Sequence, residues 1–217
     1  MGLEHSPSIV MNGLVLALDA ANSRCYSGSG LTVYNLSGGI GGTLLGGVGF
    51  TTANNGGLLF SANQYILIPT IIDTNSDFTI SFWNRRSAVN TIHTLLTGFT
   101  LNSYLQIRYN TSNLVQLVKS SVADVGSFSG FTSTAGVDVY LSIRLTKSSN
   151  TYDLFVNGSY ISSIVSAQTY LTLNSIIGGT STESFIGNIY SATYYNRALT
   201  AAEVRQNYNA TKKRYGL

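Results

Sequence analysis

The chain has 217 residues, which suits one large β-sandwich, and its 44% hydrophobic content is enough for a sizeable core. Only 10% of residues are charged, so Ser, Thr, Asn and Gly must supply the polar surface; disorder, which needs low hydrophobicity and high net charge, is excluded. The formal net charge of +3 gathers at the end of the chain, where Arg197, Arg205, Lys212, Lys213 and Arg214 face Glu203 alone.

Met1–Asn12 reads as an N-terminal arm or edge strand, with apolar Ile9 and Val10 available to a neighbour's sheet edge. It has no basic run followed by an apolar one, so no secretory signal is expected, and no apolar stretch is long enough to span a bilayer. The four Asn-x-Ser/Thr matches, at Asn35, Asn110, Asn157 and Asn209, are therefore read as chance. From residue 13 to 217 one domain is expected. Gly13–Asp19 (GLVLALD) reads as a strand buried on both faces. The loop after it holds Cys25, the only cysteine, which rules out an internal disulfide and a cysteine-based zinc cluster. SGGIGGTLLGGVG then suggests turns and close backbone approaches.

A strand pair is expected in Leu58–Pro69. Phe78–Trp83 alternates, with Phe78, Ile80 and Phe82 on one face and Thr79, Ser81 and Trp83 on the other. Val139–Thr146 alternates in the same way. Tyr152–Val156 and Tyr160–Val165 flank Asn157-Gly158, a type I′ hairpin signal. Further strands are expected at Leu95–Phe99, Tyr104–Tyr109, Leu114–Val118, Tyr170–Leu173 and Phe185–Tyr195. Short, regularly spaced strands imply an all-β, two-sheet antiparallel sandwich. At the end, Thr200-Ala-Ala-Glu203 is a capping box, and Leu199 with Val204 fits a hydrophobic staple. One short C-terminal helix over about 201–214 follows, packed through Val204 and Tyr208.

Catalytic chemistry finds no support. The three Glu (Glu4, Glu183, Glu203) are widely spaced, and Glu203 is accounted for by capping. No Asp-x-Asp pair sits on a strand, while glycoside hydrolysis usually needs two carboxyl groups about one bond. Asp73 and Asp77 read as turn formers. His5 and His93 are far apart, and a Cys25–His93 dyad lacks supporting residues. GSFSG centres on Phe128 rather than a serine, and the glycine run lacks the Gly-Lys-Ser/Thr of a phosphate loop. No catalytic or metal residue is assigned.

The opening GLVLALDAANSRCYSGSG, the following YNLSGGIGGTL and the closing YNRALTAAEVRQNYNATKKRY together resemble a known group. They are similar to the laminin-G-like, concanavalin-A-like jelly rolls of tailed-bacteriophage virion proteins, of the kind found in cyanophages. LLFSANQYILIP, FTISFW, YDLFVNG and FIGNIYSATYYNRAL fit the same group, and the resemblance spans roughly residues 9 to 217. Where the group usually has Trp-x-Asp-Leu-Ser, this chain has Val33-Tyr34-Asn35-Leu36-Ser37. Where Phe-Asp-Gly is common it has Phe60-Ser61-Ala62. The calcium that the resemblance would allow thus loses its expected acidic ligands, and no cofactor is assigned.

The resemblance implies a non-enzymatic virion structural protein, a capsid-decorating or capsid-attached module contacting other virion proteins, such as the major capsid protein, or its own copies. Ile9, Val10, Arg205, Lys212, Lys213 and Arg214 are the candidate assembly contacts. Five cations are too small a footprint for nucleic acid. The alternative is a lectin-like module of a tail fibre or head appendage, contacting host-surface glycans through outward aromatic rings. Trp83, Tyr104, Tyr109 and Tyr140, with Tyr152 beside them, are the candidates for that platform.

Overall fold

The computed structural model describes residues 8–38, 41–69, 72–73, 75–98, 104–119, 123–168, 171–172, 175–179 and 183–216. His5 and the rest of residues 1–7 lie outside the described residues. In chain order the strands are β1 (Leu14–Asp19), β2 (Thr32–Val33), β3 (Gly42–Leu45), β4 (Gly49–Thr51), β5 (Gly57–Phe60) and β6 (Tyr65–Ile68). Next come β7 (Ile72–Asp73), β8 (Phe78–Arg86), β9 (His93–Gly98), β10 (Leu105–Tyr109), β11 (Val115–Lys119) and β12 (Ala123–Ser127). The rest are β13 (Val139–Thr146), β14 (Thr151–Val156), β15 (Ser159–Val165), β16 (Leu171–Thr172), β17 (Ser175–Ile177) and β18 (Gly187–Tyr195), before helix α1 (Ala201–Thr211).

Two eight-stranded antiparallel sheets face each other. The first runs β15-β14-β13-β8-β18-β5-β4, with β1 also paired to β18. The second runs β12-β11-β10-β9-β17-β6-β3-β2, and β16-β7 forms a separate small ribbon. This is the expected all-β jelly-roll sandwich. β18 organises the first sheet: along one side it pairs with β8, and along the other with β5 at Gly187–Ile189 and β1 at Ser191–Tyr195. The hairpin turn is left-handed at both Asn157 (φ 49°) and Gly158 (φ 76°), the geometry of a type I′ turn.

Alternation decides which side chains meet between the sheets. Phe78, Ile80 and Phe82 of β8 and Val139, Leu141, Ile143 and Leu145 of β13 enter the main core, opposite Ile107, Tyr109 and Leu117 of the second sheet. The glycine-rich run contributes more than turns, since β3 lies within it and buries Leu44. Periodicity concealed this strand because glycine occupies its first position and surrounds it.

The outer face of the first sheet carries a second apolar cluster. Trp83, Tyr140, Phe155, Tyr190 and Tyr195 pack there against Leu199, Val204 and Tyr215. Trp83 stacks on Tyr215 with ring centroids 3.9 Å apart and donates from Nε1 to Thr211 Oγ1 at 2.7 Å. The helix begins as its sequence dictates: Glu203 N donates to Thr200 Oγ1 at 3.2 Å, and Thr200 N to Glu203 Oε2 at 2.8 Å. Leu199 and Val204, the two staple positions, are fully buried. The α-helix stops at Thr211, short of the expected end, and tightens into a 3-10 turn over Lys212–Tyr215. That tightening swings Tyr215 onto Trp83.

Removing the indole would open a cavity between helix and sheet. Trp83→Ala should cost about 3–5 kcal/mol of unfolding free energy, read by urea denaturation; a loss below about 1 kcal/mol would mean that the helix does not depend on this contact. The capping acid gives a second test. The Arg197 guanidinium, 2.6 Å from Glu203 Oε1, and then the Thr200 amide and hydroxyl hold the Glu203 carboxyl down at about 2. A depressed carboxylate adds stability above its ordinary 4.5 and loses it as pH falls toward 2. In that window the melting temperature should fall less steeply for Glu203→Gln than for the parent chain.

Candidate functional site

Four of the five candidate rings, Trp83, Tyr109, Tyr140 and Tyr152, lie inside the fold. Trp83 and Tyr140 do point outward from the first sheet, but α1 and the 3-10 turn cover them, leaving 0% and 4% of their surfaces exposed. Tyr109 and Tyr152 point inward, between the sheets. Tyr109 donates to Asn84 Oδ1 at 3.0 Å, and burial pushes its hydroxyl up to about 12. Tyr104 is half-buried just before β10. These rings are packing residues, apart from Tyr104, and no shared ring face forms. Alternation assigns a side chain to a face of the sheet without saying what covers that face.

The candidate assembly residues are also partly used within the chain. Residues 8–11 form no strand: Val10 N donates to Asn207 Oδ1 at 2.8 Å, Tyr195 Oη donates to Val10 O at 2.9 Å, and Ile9 is half-buried. The segment therefore docks on its own helix. Arg214 is engaged by both oxygens of Asp19, at 2.8 and 2.9 Å. Lys212 lies 5.4 Å from the Tyr208 ring centroid. Arg205 and Lys213 are exposed.

Two polar features remain. The first is a network on the outer face of the second sheet. Arg108 donates to Gln116 Oε1 at 2.8 Å, Gln106 Oε1 at 3.3 Å and Glu183 Oε1 at 2.9 Å; Gln106 donates to Thr94 Oγ1 and Glu183 Oε2. Its amides and ions face one another, so much of its hydrogen-bonding capacity is already used.

The second is an open groove of about 430 Å³ at the end of the first sheet, beyond the helix. Register builds its floor. Leu59 of β5 pairs with Asn188 of β18, which pairs with Arg85 of β8, so the three stand in a row across adjacent strands. Leu59 is 44% exposed, and Ile186 at the rim 40%. Ser61, Ser87 and Gly136 line it as well. Arg85 is held by Gly136 O, 2.7 Å from Nε, and by Asp138, 3.8 Å from Nη1. Gly187 lets the strands close behind this row, because at its φ of 137° a Cβ would sit 2.1 Å from Arg85 O.

Below the floor, Arg86 points inward over the Tyr109 ring, 4.3 Å from its centroid. His93 is fully buried nearby. Its Nδ1 accepts from Ile186 N at 3.1 Å, so the proton sits on Nε2 and faces Thr91 Oγ1 at 2.8 Å. Burial, followed by the Arg86 charge, lowers its pKa to about 4, so this histidine is a neutral spacer for the groove rim.

The groove residues were open to sequence reasoning in one respect only. Continuing the FTISFW alternation into Asn84-Arg85 puts Arg85 on the outward face with Trp83. The juxtaposition with Leu59 and Asn188 depends on long-range register. Asn35, at the position where the resembled group has Asp, fastens the loop after β2 to β1: its Oδ1 accepts from Ala17 N and its Nδ2 donates to Val15 O, both at 2.8 Å. Among the described residues no three His, Cys, Asp or Glu side chains gather where they could hold a metal, and no helix is long and apolar enough to cross a membrane.

Residues 60–205 match the profile of the family described as the concanavalin A-like lectin/glucanases superfamily. No curated protein sequence matches the chain. Among solved structures, domain 4 of AbnA, a GH43 extracellular arabinanase from Geobacillus stearothermophilus in complex with arabinotriose, is similar at a TM-score of 0.71 and 16% identity, covering 89% of this chain and 97% of that one. The botulinum neurotoxin serotype D binding domain is similar at 0.69 and 13%, covering 92% of this chain and 52% of that one. Trypanosoma rangeli sialidase in complex with sialic acid is similar at 0.70 and 13%, covering 97% and 36%. This chain thus spans about half of the toxin domain's length and about a third of the sialidase's. At these identities the likeness establishes the fold, and the family profile, which covers most of the chain, establishes membership. The chain belongs to the concanavalin A-like lectin/glucanase superfamily.

Proposed function

We propose that the chain is a non-catalytic carbohydrate-binding module whose ligand occupies the groove floored by Leu59, Asn188 and Arg85. The observation that carries this reading is the groove's mixed lining. Hydrogen-bonding Ser61, Arg85, Ser87 and Asn188 stand beside the exposed apolar Leu59 and Ile186. A sugar presents the matching pair of surfaces, hydroxyls at its rim and C–H groups on its faces. The similarity to an arabinanase domain solved with arabinotriose supports the same reading.

Binding without turnover is supported by where the acids sit. Asp19, Asp138, Asp153, Glu183 and Glu203 are each ion-paired to an arginine, and among the described residues no carboxylate lines the groove. Glycoside hydrolysis usually uses two carboxyl groups about one bond.

A second reading, a virion module decorating a capsid, is favoured by one feature besides the sequence resemblance. β15 pairs only with β14 among the described strands, and it presents Tyr160 and Val165 at 53% and 72% exposure. An edge of that length offers backbone groups to another chain. In the carbohydrate reading, by contrast, the groove belongs to a head or tail appendage contacting a host surface. Many copies per purified particle, counted by mass spectrometry, would favour decoration; a few would favour the appendage.

The groove makes a direct prediction. In a glycan array followed by calorimetry, Asn188→Ala should weaken binding about tenfold, the equivalent of one lost hydrogen bond of about 1.4 kcal/mol, with the melting temperature unchanged. Full affinity in Asn188→Ala and in Leu59→Asp would place the ligand elsewhere. Absence of binding to any glycan would remove the carbohydrate reading itself.

A further inference from the structure

Five arginines of the described residues have a carboxylate partner: Arg85, Arg108, Arg144, Arg197 and Arg214. Arg86, only 1% exposed and part of the groove lining, is in none of these pairs. Its contacts are neutral. Nε donates to Ser133 Oγ at 3.1 Å, and Nη2 to Ser133 O at 2.9 Å and Asn113 Oδ1 at 3.3 Å. Nη1 is buried and has no hydrogen-bond partner among the described residues. A buried charge normally has its counter-charge beside it, because low-dielectric surroundings make an isolated one costly.

The next residue adds to the imbalance. Arg85 stands on the groove floor with its carboxylate, Asp138, at the longest separation of the five pairs, 3.8 Å, against 2.6–2.9 Å for the others. Two arginines therefore stand side by side at this end of the sheet, Arg85 in the groove and Arg86 directed into the core, and among the described residues Asp138 is the one carboxylate paired with either.

We infer that the saccharide taken by this groove is acidic, carrying a ring carboxylate that pairs with Arg85. The inference rests on the carbohydrate reading and narrows it to a ligand class. A guanidinium presents its N–H donors in a plane that matches the two oxygens of a carboxylate. The remaining hydroxyls face Ser61, Ser87 and Asn188, and the apolar sugar face meets Leu59 and Ile186.

The test uses the full chain and pairs of oligosaccharides that differ only in whether one ring is a neutral sugar or its uronic acid, titrated by calorimetry. The acidic member should bind at least tenfold more tightly, and its advantage should shrink as sodium chloride is raised. Arg85→Gln should erase the difference, bringing the acidic member down to the affinity of its neutral counterpart. Arg205→Gln, an equal charge change on the exposed side of the helix, should preserve it. Equal affinity for both members of a pair would overturn the inference and leave the carbohydrate reading standing. An acid preference that survives in Arg85→Gln would overturn it as well, and binding of neither member would overturn both readings.

Discussion

The structure depends on the burial of β8 from both sides. Phe78, Ile80 and Phe82 enter the core between the sheets, while Trp83 on the opposite face is closed off by Tyr215, Tyr208 and Thr211. A central strand sealed on both faces cannot shift register without exposing one apolar set. That fixed register sets the positions of Arg85 and Arg86, the last two residues of β8. The helix covers the sheet as far as Trp83 and leaves the next outward position, Arg85, in the groove.

The charges follow the same division. Most arginines of the domain stitch distant parts of the chain together: Arg214 joins the C-terminal turn to β1, Arg197 holds the helix cap, and Arg144 ties Asp153 to the helix entry through Leu199 O at 2.8 Å. With so few charged residues, each ion pair used for folding leaves less for a ligand. At the groove this economy leaves a net positive end, which separates it from the self-satisfied network around Arg108.

Much of the architecture was legible in the sequence, because period-two alternation and capping chemistry are local signals. Val139–Thr146 matches its strand residue for residue, and Thr200 with Glu203 closes the capping box at the expected place. β3 was obscured by glycine, and the short β2, β4, β7 and β17 are too brief to show a period. The candidate site was hardly legible at all. Alternation puts Trp83 and Tyr140 on the outer face, where either a ligand or the helix could cover them, and the helix does; Tyr109 and Tyr152, also candidates for outward rings, face the core instead. Leu59, Asn188 and Arg85 become neighbours only through pairings between strands far apart in sequence.

The central claim is that β8 is sealed at Trp83 and open for ligand at Arg85, and nuclear magnetic resonance titration with a bound oligosaccharide tests it most directly. The account predicts shifts at the Arg85 side-chain Nε–H and the Asn188 amide, with the single indole N–H of Trp83 unmoved. Shifts confined to Gln106, Arg108 and Gln116, or a large displacement of the indole resonance, would contradict it.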